Sequence, residues 1–98
     1  MSTPRIMIVE DESIVALDMR VRLTRLGYQV VGIANTAREG IALASTQRPD
    51  LALMDIRLKG DMDGIETATI LRAEFQIPVV YLTAYADDTT LARAKPTQ

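Results

Sequence analysis

Three short apolar runs in this sequence each end on residues that can do chemistry: Ile6-Met7-Ile8-Val9 leads into Glu10-Asp11-Glu12, Leu51-Ala52-Leu53-Met54 into Asp55, and Val79-Val80-Tyr81-Leu82 into Thr83. Carboxylates brought to one place repel. Two unit charges about 4 Å apart interact by roughly 4 kcal/mol at an effective dielectric near 20. A cluster of acids therefore calls for a cation or for shifted pKa values. Oxygen donors of this kind suit Mg²⁺, with Mn²⁺ as an alternative. An Asp beside such a cation can attack phosphorus and form an acyl phosphate. Asp55 is the candidate nucleophile, Glu10 and Asp11 are candidate metal ligands, and Thr83 offers a hydroxyl to a phosphoryl oxygen. The sequence has no His, the commonest general base, and none is needed if the leaving group arrives already activated.

These residues converge only if the elements between them alternate. The run 6–9 reads as a strand buried on both faces, and 51–54 likewise. A helix starts at Glu12 or Ser13 and reaches Leu26, with Gly27 as its stop. Residues 28–34 form the next strand. Thr36-Ala37-Arg38-Glu39 is a capping box opening a second helix, with Ala37, Ile41 and Ala44 on one face. Arg48-Pro49-Asp50 breaks it. After a loop over 57–63, a third helix begins at about Gly64, carrying Ile65, Ala68, Leu71 and Phe75 on one side. A fourth strand follows Pro78, and Asp87 or Asp88 caps a last short helix that fades at Lys95-Pro96. Strict β-α alternation with short loops implies a parallel sheet with helices on both faces. Ligands of such sheets bind beyond the carboxyl ends of the strands, where Glu10, Asp11, Asp55 and Thr83 all fall. A nucleotide-binding sheet would place a Gly-rich loop after its first strand; carboxylates stand there instead.

Bulk properties narrow the class. With 98 residues, one domain over 1–98 is expected, and 48% apolar residues supply a core. Eleven basic and thirteen acidic side chains give a formal charge of −2 with no basic run, which argues against direct nucleic-acid binding. The absence of Cys removes thiolate chemistry and fits a reducing compartment. The amino-terminal apolar run is too short for a signal peptide or membrane span. The expectation is a cytoplasmic protein without membrane contact.

Four stretches together resemble the receiver domains of two-component response regulators, which have a CheY-like (flavodoxin-like) fold. They are Ile8-Val9-Glu10-Asp11-Glu12-Ser13, Asp50-Leu51-Ala52-Leu53-Met54-Asp55, Met62-Asp63-Gly64, and Pro78-Val79-Val80-Tyr81-Leu82-Thr83-Ala84. Each is weak alone; in this order and spacing they are specific. The resemblance implies a doubly wound parallel sheet of order 2-1-3-4-5. It implies that Asp55 accepts a phosphoryl group from a phosphohistidine on a sensor histidine kinase or histidine phosphotransfer protein. Asp11 is then a direct Mg²⁺ ligand, Glu10 a ligand directly or through water, and the Arg57 backbone carbonyl a further one. Thr83 matches the switch hydroxyl, and Arg57, Ala84 and Tyr85 flank the pocket. Such a domain switches protein–protein contacts and dephosphorylates itself; it is not a turnover enzyme on a separate substrate.

Two departures from the family pattern stand out. The loop from Asp55 to Gly64 lacks the frequent Pro and is longer by one residue, which should leave the chemistry intact. The sequence also stops after the fourth helix, short of the fifth βα unit and of the Lys that pairs with the phosphoryl group. Lys95, only twelve residues past Thr83, is too early to be that Lys. On this reading the fourth strand becomes an edge that invites homodimers or higher association, as does helix one. On that helix Val15, Met19, Leu23 and Leu26 are expected to face the sheet. Ile14, Leu17 and Val21, nearly opposite, await either a neighbouring helix or a partner. A competing function is a receiver-like interaction module that is not phosphorylated. A metal-dependent aspartyl-phosphate hydrolase would want an Asp two residues past the nucleophile, where Arg57 stands. A calcium loop around Asp61-Met62-Asp63-Gly64 fails, because Gly64 at position six puts Lys59 and Ile70 at ligand positions. Asp63 reads as a loop or capping acid.

Overall fold

In a computed structural model of the chain, the described residues are 3–55 and 64–82. In chain order they form β1 (Arg5–Val9), α1 (Ser13–Arg25), β2 (Gln29–Ala34), α2 (Ala37–Gln47), β3 (Leu51–Asp55), α3 (Gly64–Phe75) and β4 (Val79–Leu82). The loop carrying Arg57 and Asp63, the residues Thr83, Ala84 and Tyr85, and the expected last helix with Lys95 lie outside this description.

The four strands are parallel, in the order β2-β1-β3-β4. The crossover from β1 to β2 moves one way across the sheet; those from β2 to β3 and from β3 to β4 move the other way. Right-handed crossovers then put α1 on one face and α2 and α3 on the other. The packing follows. Met7, Val9, Ala52, Met54, Val79 and Tyr81 alternate along their strands and share one core with Ala37 and Ala44 of α2 and Ile65, Ala68 and Leu71 of α3. Ile6 and Ile8 are buried on the other face, where Ala16 is the buried residue of α1.

Local chemistry sets the helix ends. Glu12 is the N-cap of α1, Leu26 its C-cap, and Gly27 follows at φ +95°, a conformation open to glycine at little cost. Thr36 caps α2: its hydroxyl accepts the Glu39 N–H at 3.2 Å. Glu39 reaches back one residue beyond the usual capping box, accepting the Asn35 N–H at 3.1 Å. Arg48 ends α2 in the left-handed region at φ +46°, with its guanidinium over the Phe75 ring at 5.3 Å. Arg5 binds the same end, donating to the Gln47 carbonyl at 2.7 Å, while its own N–H meets Asp50 at 2.8 Å.

Two expectations need correction. Helix α1 turns Ala16, Met19 and Leu23 to the sheet, and Val15 and Leu26 are exposed. Ala16 leads a narrow i, i+3, i+7 stripe that lets the helix lie close; an apolar side chain elsewhere on the helix need not be inward. Strand β3 is buried on one face only, since Leu51 and Leu53 are half-buried. Among the described elements α1 meets β1 and β2 on that face, leaving Val80 of β4 49% exposed. Ile14, Leu17 and Val21 do point outward, at 84%, 55% and 48% exposure.

One strand is irregular. Ile6 pairs with Val30 but Met7 pairs with Gly32, so Val31 has no partner on β1 and β2 carries a one-residue bulge.

Candidate functional site

The chain reverses its direction across the sheet between β1 and β3, and a crevice opens at the carboxyl ends of strands so arranged. Their register ends with Val9 opposite Met54, so Glu10 and Asp55 come next on the two strands. Asp11 follows where the chain turns toward α1. One carboxylate oxygen from each of Glu10, Asp11 and Asp55 lies within 4.8 Å of the others. Glu10 is 4% exposed, while Asp11 and Asp55 are half-buried and open toward solvent.

The backbone around Glu10 is held from two sides. Its N–H donates to the Ala34 carbonyl of β2 at 2.9 Å. Its carboxylate accepts the Glu12 N–H at 3.2 Å. Glu12 itself acts through its backbone, since its carbonyl accepts the Ala16 N–H at 3.0 Å and so begins α1. The side chain of Glu12 is exposed.

Burial pushes the Glu10 carboxyl up to about 7 from an ordinary 4.5, and the charge of neighbouring Asp55 pushes the same way. The Glu12 N–H opposes this by stabilising the anion; the hydrogen bond with Asp55 and the charge of Asp11 add to it. Glu10 thus keeps its proton up to about pH 7. A divalent cation would replace that proton. The donors are all oxygen, which fits a hard ion such as Mg²⁺.

Of the residues singled out in the sequence, the structure brings Glu10, Asp11 and Asp55 together. Leu82 pairs with Asp55 at the end of β4. Thr83, next in the chain, and Arg57, Ala84 and Tyr85 are outside the described residues. Sequence reasoning missed Ala34, whose carbonyl fixes Glu10. Its signal is indirect: Gly32 inside a β-branched run marks an irregular strand, and an irregular strand changes which carbonyl meets Glu10.

Comparison with known proteins places this geometry. A family model for the response regulator receiver domain matches residues 6–97. The chain is 37% identical over 83 residues to the phyllosphere-induced regulator PhyR of Methylorubrum extorquens, covering 84% of this chain and 31% of that protein. It is 34% identical over 91 residues to the transcriptional regulatory protein PdtaR of Mycobacterium tuberculosis, covering 93% and 44% respectively. It therefore spans less than half the length of either relative. Among solved structures, it matches the signal receiver domain of a modulated diguanylate cyclase from Desulfovibrio desulfuricans G20 with a TM-score of 0.92 and 40% identity, covering 98% of this chain and 76% of that one. The parallel sheet, its strand order and the family match agree: the chain belongs to the response regulator receiver domain family and has its CheY-like fold.

Proposed function

We propose that this receiver domain relays a signal by taking a phosphoryl group onto Asp55. The observation that carries the reading is the meeting of Asp55 with Glu10 and Asp11 at the reversal point of the sheet. In the transfer, an Asp55 carboxylate oxygen bonds to phosphorus and the bond from phosphorus to a donor imidazole nitrogen breaks. The imidazole leaves neutral, because it arrives with its other nitrogen protonated. The phosphoryl group stays on the domain's own side chain as an acyl phosphate until water removes it. That makes the domain a switch and not an enzyme turning over a separate substrate. The donor is a sensor histidine kinase or a histidine phosphotransfer protein.

Asp11 and Asp55 would hold Mg²⁺, with Glu10 as a third acid directly or through water and the Arg57 carbonyl as a further ligand, while Thr83 would offer its hydroxyl to a phosphoryl oxygen. When bound, the cation offsets negative charge gathering on the phosphoryl oxygens. Glu10 would give up its proton to a bound cation, while Asp55 is half-buried and open to the donor. Burial at Glu10 and openness at Asp55 divide these roles between two neighbouring acids.

The test is incubation of the chain with acetyl phosphate and Mg²⁺, followed by intact mass measurement. We expect the mass of one phosphoryl group to appear, to need the metal, and to be absent in Asp55→Asn. Labelling of Asp55→Asn at the wild-type level would overturn the assignment. A chain that loads metal and takes no phosphoryl group would favour an interaction module instead.

A further inference from the structure

We infer that Gly32, at the bulge of β2, is a positioning residue for the acidic site, acting through the Ala34 carbonyl on Glu10. Two registers compete for this strand. The observed one skips Val31 and pairs Met7 with Gly32, Ile8 with Ile33 and Val9 with Ala34. An unbroken register continuing from Ile6–Val30 would instead set Val31, Gly32 and Ile33 against Met7, Ile8 and Val9. The two differ by one residue, about 3.3 Å along the strand. That step is comparable with the 4.8 Å span of the whole carboxylate cluster.

The core selects the observed register. Val31 packs against the same cluster that contains Ala34. Two residues three apart share a face of a strand only if an extra residue lies between them, because the side-chain period is two. Gly32 turns to that face as well. A Cβ built there would stand 2.8 Å from both methyl carbons of Leu43 and 3.3 Å from its branch carbon. The bulge thus crowds adjacent residues under α2, and Gly32 makes room by having no side chain. Beyond it the strand is regular and seats Ala34 where a Cβ on Gly40 would come within 3.9 Å of the Ala34 methyl and 3.1 Å of Val9. The Ala34 carbonyl then receives the Glu10 N–H at 2.9 Å. A bulge in a parallel pair is rare, and bulges gather beside active sites, where they re-aim side chains.

A side chain at residue 32 should make the skipped register costly and release Glu10 from Ala34. The test is Gly32→Val, which adds three carbons, paired with Leu43→Ala, which removes three from the contacting side chain. The metal readout rests on the proposed Mg²⁺ site; the amide readout does not. By amide hydrogen exchange without metal, Gly32→Val should lower protection at Glu10 by about tenfold or more relative to Ile8, a shift of local opening and not of global stability. Mg²⁺ affinity should fall about tenfold with it. The double variant should return both values to within about threefold of wild type even where its melting temperature stays lower. Unchanged relative protection at Glu10 in a folded Gly32→Val chain would overturn the inference, as would a folded double variant in which Glu10 stays unprotected. If Gly32→Val does not fold, the double variant decides by the same criterion. If wild type binds no Mg²⁺, the reading of the site fails and the amide comparison still decides the role of Gly32.

Discussion

Glu10, just past the end of β1, and Asp55, the last residue of the adjacent parallel strand β3, face one another across a side-chain hydrogen bond, and burial together with the Asp55 charge lifts the Glu10 carboxyl to about 7. In the unfolded chain the same group titrates near 4.5. Between those two values the folded protein binds more protons than the unfolded one. Stability contributed by protonated Glu10 is therefore fully present below about pH 4.5 and is lost as pH rises through about 7. The slope from this group is at most about 1.4 kcal/mol per pH unit. Urea melts of the metal-free chain at a series of pH values check it. Mg²⁺ should flatten the loss, because it takes the place of the proton.

Removing one charge should separate stability from metal binding. Glu10→Gln keeps the shape of the side chain and abolishes the like-charge repulsion, so at pH 8 the metal-free variant should be more stable than wild type by about 1 kcal/mol. Asp11→Asn should weaken Mg²⁺ by about tenfold or more through loss of a charged oxygen ligand. Titration calorimetry of both variants and wild type, beside their melts, reads the two effects. Equal Mg²⁺ affinity in Asp11→Asn and wild type would remove Asp11 from the ligand set.

The core and the caps make separable contributions. Leu71 is fully buried between α3 and the sheet, so Leu71→Ala should cost about 2–5 kcal/mol. Thr36→Ala removes the acceptor of the Glu39 N–H and should cost about 1 kcal/mol. Chemical denaturation of the two variants measures both.

Ile14, Leu17 and Val21 lie on the outward side of α1 and begin three residues past Asp11. Serine at all three should change stability little, by about 0.5 kcal/mol or less per site, because the side chains are exposed in the fold. The same triple variant should sediment as a smaller species than wild type at equal concentration if this stripe mediates association. Identical sedimentation coefficients would assign any association to another surface, such as the uncharged strand β4.

Much of this site could be read from residue order. Apolar runs bounded by acids located the strand ends, and strict alternation gave a parallel sheet whose carboxyl edge gathers Glu10, Asp11 and Asp55. The helix stop at Gly27 and the start at Thr36 followed from cap chemistry, and the end near Arg48 from the break at Arg48-Pro49-Asp50, all of which are local. What escaped was set by distance in the chain. Val15 and Leu26 are as apolar as Met19 and Leu23, and only the angle at which α1 lies on β1 and β2 decides which of them is covered. The half-exposure of Leu51 and Leu53 depends on how far α1 extends across the sheet. The Ala34–Glu10 bond depends on a bulge whose register no local pattern specifies, although Gly32 hints at it.

The central position of β1 has a consequence for how the chain is made. Within this domain it leaves the ribosome before both of its neighbours, β2 and β3. Its pairing with β2 needs only the intervening helix, so β1-α1-β2 can close early as a short-range unit. Its other edge stays open until β3 is synthesised, and the bond between the Arg5 N–H and Asp50 spans 45 positions. Until then Met7 and Val9 have no lid from α3, and the Glu10–Asp55 pair does not exist. The acidic site thus forms only once β3 has joined β1, and its assembly reports that this strand has docked.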